Sequence, residues 1–247
     1  MKFAIIAAGE GSRLLREGVG CPKPLVKVNG ETLIARLLRI FHQCGAEETV
    51  VIVNRLHPET EAFVRQLMNE QTYGPIRLVT KTTPSSMHSF YELSPFLQDA
   101  PFCLTTVDTI FREEEFADYI RRFRDSKADG MMAVTDYIDD ESPLYVGTDA
   151  DLRITAFNDS NMGDRYISGG IYALTPKALP TLQRLMREGQ SRMRNFQRGL
   201  IADGLHLQAC PFSKILDVDH AEDIRKAEEF LRDASAGSHR ADIVPTA

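Results

Sequence analysis

The sequence has 247 residues, of which 43% are hydrophobic and 26% are charged, proportions that are ordinary for a globular protein and unlike those of a disordered or fibrous chain. Its 29 Lys and Arg residues against 35 Asp and Glu residues give a formal net charge of -6, so no general basic field is available to hold a nucleic-acid backbone. The four cysteines are scattered without a Cys-x-x-Cys pair or zinc-finger spacing. We therefore expect reduced structural thiols and no nucleic-acid partner.

The length favours one large domain with one active site. The apolar start of the chain ends at Ala8, too early for a signal-peptide core or a membrane span, which predicts a cytoplasmic protein with no membrane partner. Residues 234–247 are polar, rich in small side chains and without periodicity. We expect a folded domain over 1–233 and a disordered tail over 234–247, in a monomer or a small homo-oligomer.

The predicted elements alternate between apolar, β-branched runs and amphipathic stretches, which is typical of βαβ units. In the first half, strands are predicted at 2–7, 49–54, 76–80 and 102–106, with helices near 31–44, 58–70 and 87–97. The second half has a helix near 113–126, a strand at 130–137, an irregular region at 139–164, a strand at 166–174, helices from 176 and near 192–203, strands at 205–211 and 214–218, and a last helix at 220–233. The pattern predicts a Rossmann-like α/β/α fold of three layers around a mostly parallel mixed sheet.

A glycine-rich loop follows the first strand, with the sequence Ala7-Ala8-Gly9-Glu10-Gly11-Ser12-Arg13-Leu14. Two glycines allow backbone angles that turn amides inward, which suits a polyphosphate, although a tight turn without a ligand is a fair alternative. Leu14 stands where the dinucleotide-binding fingerprint needs a third glycine, and the second strand ends in Asn54 where that fingerprint needs an acidic residue. The Gly-Lys-Ser/Thr of a P-loop is absent as well. The loop therefore favours neither a dehydrogenase nor a P-loop ATPase.

Two cations bracket this loop, Arg13 within it and Lys23 ten residues on, in Pro22-Lys23-Pro24-Leu25. Arg offers a planar fork for phosphate and Lys a compact point charge, although both are also compatible with a solvated surface. The paired motif resembles the signature of the sugar-phosphate nucleotidyltransferases, whose fold is of the nucleotide-diphospho-sugar transferase type. The resemblance covers nearly residues 1–233. It implies that Arg13 contacts the phosphates of a nucleoside triphosphate and that Lys23 stabilises charge at the reacting phosphorus. It implies a loop that wraps the triphosphate through Ala7, Ala8, Gly9, Gly11 and Ser12.

Two acidic positions complete the predicted chemistry. Asp108 follows the strand 102–106, at the carboxyl edge where ligands of α/β sheets collect, although a turn or helix-cap role is common for such a residue. Asp217 and Asp219 alternate at the end of a later strand, on the same side of it. This passage resembles the family's Asp-x-Asp-Thr-Pro-Glu-Asp segment, which implies that Asp219 joins Asp108 in binding Mg²⁺, with helix capping as the alternative.

The base and acceptor segments depart from the family pattern. Ser85 and Ser86 stand where the family reads the nucleobase, but its Gly-Thr-Ala sequence is missing. Gly169 and Gly170 resemble the strand along which the acceptor approaches, although a β-bulge would also explain a strand glycine. The family's acceptor lysine is absent near residue 158. Two alternatives follow: Arg153 or Arg165 holds the acceptor phosphate, or the acceptor differs from an ordinary hexose 1-phosphate.

The leading hypothesis is a Mg²⁺-dependent nucleotidyltransferase that joins an NTP to a sugar 1-phosphate or similar small phosphate and releases pyrophosphate. Its catalytic residues are predicted to be Arg13, Lys23 and Asp108. The alternatives are a CTP-dependent phosphocholine-type cytidylyltransferase and a non-catalytic sugar-nucleotide sensor on the same fold. A glycosyltransferase on the related fold would need an Asp-x-Asp motif near mid-chain, where the sequence has Val107-Asp108-Thr109.

Overall fold

The computed structural model describes residues 1–139 and 142–238, with side chains described as far as Asp233. A mixed sheet forms the middle of the fold. Its strands are β1 Lys2–Ala7, β4 Thr49–Val53, β5 Ile76–Thr80, β6 Phe102–Thr106, β8 Gly130–Thr135, β9 Tyr145–Thr148, β10 Ile154–Asn158, β11 Tyr166–Leu174 and β12 Leu207–Phe212. Two short pairs lie outside it, β2 Lys27–Val28 with β3 Glu31–Thr32, and β7 Thr109–Ile110 with β13 Leu216–Asp217.

The sheet has a parallel half and a mixed half. The order β6-β1-β4-β5 is parallel throughout, as the βαβ pattern predicts. β11 joins β6 antiparallel and also pairs with β8 and β9, while β12 runs parallel to β8. The carboxyl ends of β1, β4 and β6 therefore meet at one edge of the sheet, where the loops that follow them lie side by side.

Helices cover both faces of the sheet. They are α1 Ser12–Arg16, α2 Leu33–Gln43, α3 Pro58–Glu70, α4 Ser86–Leu93, α5 Glu113–Asp125, α6 Leu179–Arg187, α7 Met193–Ala202 and α8 Ala221–Ser238. Successive residues of β1 point to opposite faces, so that Phe3 and Ile5 pack with the core under α2, α3, α5 and α8, while Ala4 and Ile6 pack with the core under α4, α6 and α7. The three-layer α/β/α fold predicted from the sequence is confirmed.

Four of the predicted segments differ clearly from the observed ones. The region 139–164 is not irregular throughout, because β9 and β10 form an antiparallel pair within it; two of its residues, 140 and 141, lie outside the described residues. The strand predicted at 214–218 is reduced to Leu216–Asp217. Helix α4 ends at Leu93, where Pro95 enters a short 3-10 turn. Helix α8 continues to Ser238 and so covers the first five positions of the predicted tail, whose remaining positions, 239–247, lie outside the described residues.

Candidate active site

The glycine-rich loop connects β1 to α1 and packs against the segment that carries Lys23. Gly11 adopts a left-handed conformation with φ of 61°, and a Cβ built on it would lie 3.1 Å from Cβ of Lys23. A side chain at this position would be strained by the backbone and crowded by the lysine. At Gly9, by contrast, a Cβ would meet no atom within 4 Å. Packing therefore requires glycine at position 11, while Gly9 leaves open space above the loop.

Asn54, at the end of β4, anchors this loop to the sheet. Its side chain is buried and donates from Nδ2 to the carbonyl of Ala8 at 3.0 Å. Its Oδ1 accepts from the hydroxyl of Thr82 at 2.7 Å. Asn54, which argued against a dehydrogenase, therefore has a structural role. It joins the glycine-rich loop to the segment that precedes α4.

Lys23 lies between two carboxylates that come from distant parts of the chain. Its Nζ is 2.7 Å from Oδ2 of Asp108 and 2.6 Å from Oδ1 of Asp219. Only 13% of the lysine side chain is exposed. Burial disfavours the charged amine, but the two carboxylates outweigh it and raise the pKa of Lys23 above its ordinary value. The lysine is therefore a fixed positive charge at the edge of the sheet, which excludes the solvated-surface alternative for this residue.

Arg13, in α1, contacts one of these two carboxylates, that of Asp219. Its Nη1 is 3.1 Å from Oδ2 of Asp219, and about half of its side chain, 53%, is exposed. Because the guanidinium is held by one carboxylate and otherwise faces solvent, it retains donors for an incoming phosphate. The structure thus brings Arg13, Lys23, Asp108 and Asp219 together, as the resemblance implies.

Neither aspartate serves as a helix cap. Asp108 lies between β6 and β7, and the next helix, α5, begins only at Glu113. The two oxygens of Asp219 pair with Arg13 and Lys23. The amides at the start of α8 use other acceptors, since those of Asp219 and His220 donate to Asp223 at 3.1 and 2.8 Å and that of Ala221 donates to Glu17 at 2.7 Å. The capping alternatives are therefore wrong, and both carboxylates are left to the cations.

The sequence interpretation left Asp217 out of the predicted site, although the alternation of Asp217 and Asp219 signalled it. Asp217 lies in β13, close enough to Asp108 and Asp219 for its carboxyl group to interact with their negative charges. Its side chain is exposed and faces the cleft. Three carboxylates therefore converge here, with the positive charge of Lys23 beside them.

Two cavities meet at Asp217. The first, which we call the acidic cavity, measures about 430 Å³ and is lined by Arg13, Tyr137, Gly169, Asp217, Asp219 and Lys226. The second, which we call the arginine cavity, measures about 560 Å³ and is lined by Ser86, Gly170, Tyr172, Arg192, Arg194 and Gln197. Both volumes are in the range of small-molecule sites.

The predicted base and acceptor residues are distributed over these cavities. Ser85 and Ser86 line the arginine cavity, and Ser85 also caps α4, since its Oγ accepts from the amide of His88 at 3.4 Å. A Cβ on Gly169 would lie 2.2 Å from Cδ1 of Ile215, so packing alone accounts for this glycine. Gly170 has a φ of 72° and faces the arginine cavity. Gly170 is thus the better candidate for a close approach of substrate.

The arginines expected to hold the acceptor phosphate lie elsewhere. Arg165 pairs with Asp136 and lies over the ring of Tyr166, and neither it nor Arg153 lines either cavity. The arginine cavity is lined instead by Arg192 and Arg194, which the sequence interpretation missed. These residues come from the start of α7, a region that offered no recognisable motif.

Asp159 pairs with two arginines of α7. It accepts from Nη1 of Arg194 at 2.6 Å and from Nη2 of Arg198 at 2.8 Å. Arg194 is thereby fixed in place, whereas Arg192 is exposed and its guanidinium has no hydrogen-bond or ion-pair partner within 1–139 and 142–238. Arg192 is therefore available to an anionic ligand.

Comparison with known proteins identifies the family to which the chain belongs. The family described as the MobA-like NTP transferase domain matches residues 3–202. The chain belongs to this family. The sequence-based hypothesis of a nucleotidyltransferase is thereby confirmed, and the glycine loop, Arg13 and Lys23 all fall within the matched NTP transferase region.

Two curated relatives and one solved structure illustrate the range of the MobA-like NTP transferase likeness. The chain is 28% identical over 241 residues to a bifunctional IPC transferase and DIPP synthase from Rubrobacter xylanophilus, covering 92% of this chain but only 51% of that protein. The chain thus spans about half the length of that relative. It is 24% identical over 241 residues to a UTP–glucose-1-phosphate uridylyltransferase from Haloferax volcanii, covering 94% and 97% of the two chains. A putative glucose-1-phosphate thymidylyltransferase from Bacillus anthracis shares the fold, with a TM-score of 0.81, 18% identity and coverage of 100% and 98%.

Two further features are established for the described part of this NTP transferase. None of its described helices has the length and apolar character needed to cross a membrane. Across the described residues, no three His, Cys, Asp or Glu side chains form a preassembled metal cluster. Lys23, which contacts Asp108 and Asp219, supplies positive charge at these carboxylates.

Proposed function

We propose that this protein transfers a nucleotidyl group from a nucleoside triphosphate to a phosphorylated sugar or polyol and releases pyrophosphate. The observation that carries the proposal is the convergence of Lys23 with the Asp108 and Asp219 carboxylates beside the glycine-rich loop. Open space above Gly9 and the partly exposed guanidinium of Arg13 suit a triphosphate at the same place.

The proposed reaction needs no general base. An oxygen of the acceptor phosphate, already an anion at neutral pH, attacks the α-phosphorus, a new P–O bond forms, and the bond to the β-phosphate oxygen breaks. Pyrophosphate leaves with the electron pair. The protein has to align the two substrates and to stabilise the negative charge that spreads over the α-phosphoryl oxygens. Lys23 is suited to this charge because it is protonated, largely buried and held by two acceptors.

The acidic residues fit a bound Mg²⁺. Oδ1 of Asp108 is buried and has no hydrogen-bond partner among the described residues, so a desolvated carboxylate oxygen is left for a ligand. Asp217 and Asp219 add carboxylates at the same edge, and Mg²⁺ prefers such oxygen donors together with phosphate oxygens. When bound, the cation would neutralise charge on the triphosphate. Asp108 and Asp219 would hold it, with Asp217 beside them.

The arginine cavity supports a phosphorylated acceptor with hydroxyl groups. Arg192 and Arg194 provide cations for the acceptor phosphate, and Gln197 and Ser168 provide amide and hydroxyl groups on the same wall. These groups can pair with the phosphate and the hydroxyls of a phosphorylated sugar or polyol. The glucose 1-phosphate named in two of the related proteins is an acceptor of this class.

The nucleobase is a separate choice. The same two proteins are named for uridylyl and thymidylyl transfer, and Ser85 and Ser86 carry hydroxyls that any pyrimidine would satisfy. We therefore leave the base open within the proposal. A pyrimidine nucleotide is the first to test.

The deciding experiment measures pyrophosphate release with Mg²⁺ from each of the four NTPs, combined with a panel of sugar 1-phosphates, inositol 1-phosphate and phosphocholine. Turnover with a sugar or polyol phosphate supports the proposal. Turnover restricted to CTP and phosphocholine would establish the cytidylyltransferase alternative. Nucleotide or sugar-nucleotide binding without turnover of any pair would establish the sensor.

A further inference from the structure

Glu17 lies immediately after α1 and uses both of its carboxylate oxygens on the approach to α8. Its Oε1 is 2.6 Å from Nδ1 of His220, and its Oε2 accepts from the amide of Ala221 at 2.7 Å. The contacts join two segments that are more than 200 residues apart in sequence. Their partners directly follow Asp219, one of the carboxylates that Lys23 contacts.

Arg13 and Glu17 act on the same stretch of chain. They are four residues apart, so they lie on the same side of the α1 turn. Arg13 contacts the side chain of Asp219, while Glu17 contacts His220 and Ala221. The turn that carries the phosphate-binding arginine is thus attached at both of its ends to three consecutive residues.

Helix α1 depends on such attachments for its position. It has five residues, far fewer than an isolated helix needs to be stable in water. The glycine loop precedes it, and Gly18 and Gly20 follow it. Within α1 itself, Leu14 is the buried residue that packs into the core. Tertiary contacts must therefore set the direction in which Arg13 points.

The contact of Arg13 with Asp219 and the contacts of Glu17 respond differently when a nucleotide binds. Under the proposed function, the guanidinium of Arg13 turns to the triphosphate and its contact with Asp219 weakens. The contacts of Glu17 do not involve groups that would touch phosphate or metal, so they persist. In the loaded enzyme Glu17 would then be the main polar attachment of α1.

Asp223 and Glu17 accept from different amides at the start of α8. The carboxylate of Asp223 accepts from the amides of Asp219 and His220. Glu17 instead places a negative charge on the amide of Ala221, at the positive end of an 18-residue helix. This amide and His220 lower the pKa of Glu17, in keeping with a carboxylate that stays ionised in the contact.

We infer that Glu17 is a positioning residue for the proposed transfer, which holds α1 against the start of α8 so that Arg13 faces the triphosphate. The role rests on the proposed function and goes beyond it, because Glu17 itself touches no substrate. Its chemical requirement is an acceptor that reaches both His220 and the amide of Ala221.

The test compares Glu17→Ala with Glu17→Gln, using the NTP that the wild-type protein turns over. We expect Glu17→Ala to raise the KM and the equilibrium Kd for Mg²⁺–NTP about tenfold, while the KM for the acceptor stays unchanged. Glu17→Gln should restore most of the affinity, since its amide oxygen still accepts from Ala221. Hydrogen exchange of the amides in 9–17 should accelerate only in Glu17→Ala. Arg16→Ala is the matched control, because Arg16 contacts the carbonyl of Ser12 within its own turn.

A second variant tests the contact from the other side. Ala221→Pro removes the donated amide at the first position of α8, where proline is well tolerated. Glu17→Ala and Ala221→Pro both remove the hydrogen bond between Glu17 and the amide of Ala221. If this bond is what matters, the double variant should have a Kd for NTP no higher than that of the weaker-binding single variant. Additive losses, or a Glu17→Ala protein with wild-type NTP affinity and wild-type exchange in 9–17, would overturn the role of Glu17. A wild-type protein that neither binds nor turns over any NTP would instead overturn the proposed function, while the exchange measurement would still report on the contact.

Discussion

Lys23 and Asp219 are 196 positions apart in the sequence, yet Nζ of the lysine lies 2.6 Å from Oδ1 of the aspartate. The contact joins the segment after the glycine loop to the segment before α8. Because Lys23 also contacts Asp108, one buried cation holds the carboxyl edge of β6 and the end of β13 together. The same charge is placed where the proposed reaction develops negative charge.

Lys23→Ala is expected to lower kcat about 100-fold or more while changing the KM for NTP much less, because a preorganised charge is lost where the transition state needs it. Steady-state kinetics with saturating acceptor would measure both constants. Lys27→Ala, at an exposed lysine of β2, is the control. An unchanged kcat with a raised KM would reassign Lys23 to nucleotide binding alone.

Asp108→Ala should abolish Mg²⁺-dependent turnover and leave the circular dichroism spectrum unchanged. The expectation follows from the buried, unpartnered Oδ1 of Asp108. Asp125→Asn, which removes an exposed carboxylate at the end of α5, should retain full activity. Turnover that survives in Asp108→Ala at saturating Mg²⁺ would show that Asp108 is not a metal ligand.

Arg192→Ala should raise the KM for the phosphorylated acceptor about 10- to 100-fold, since a hydrogen bond between charged partners is worth about 1.5–3 kcal/mol. The KM for NTP should stay within about twofold of the wild-type value, because Arg192 lines the arginine cavity, whose lining includes no residue of the glycine loop. Arg187→Ala provides an exposed arginine at the end of α6 as control. A raised KM for NTP alone would place the triphosphate, and not the acceptor, beside Arg192.

Gly169→Ala should lower stability, whereas Gly9→Ala should lower the affinity for NTP. A Cβ at position 169 meets Ile215 and the carbonyl of Ala133, so the substitution should lower the free energy of unfolding by about 1–3 kcal/mol. A Cβ at position 9 meets no protein atom within 4 Å, so stability should be unchanged while NTP affinity falls. Urea denaturation and NTP titration of both variants separate the two effects. Equal stability of Gly169→Ala and wild type would contradict the packing explanation.

Glu113 should make the stability of the protein depend on acid pH. Arg39 donates to both of its oxygens at 2.8 Å and lowers the pKa of Glu113 below its ordinary value. A carboxyl whose pKa is lower in the folded state stabilises the fold above the unfolded-state pKa, and this contribution is lost as pH falls through the folded-state pKa. Glu113→Gln should therefore lower the urea midpoint at pH 7, and the difference from wild type should shrink below about pH 4. Glu114→Gln, in the same turn, is the control, and a difference that grows on acidification would contradict the assignment.

The sequence by itself determined the parallel half of the sheet and the residue types of the glycine-rich loop. β1, β4 and β6 are short apolar runs separated by amphipathic helices, and this local pattern follows directly from burial on both faces of a sheet. β5 lies at the end of the strand order and is only partly buried. The roles implied for Arg13, Lys23 and Asp108 depend on motifs that are contiguous in sequence, so they were also accessible.

Only the tertiary structure decided which distant groups share the site. The positions of Asp217, Arg192 and Glu17 depend on how β13, α7 and α1 pack around the sheet, and no local pattern encodes such long-range proximity. Asp219 is a carboxylate in either setting, but its use as a cap or as a partner of Lys23 depends on whether another acceptor, here Glu17 at the amide of Ala221, reaches the helix amides first. Sequence spacing fixes the residue types and the local turns, whereas the competition among distant hydrogen-bond partners is settled only when the chain is folded.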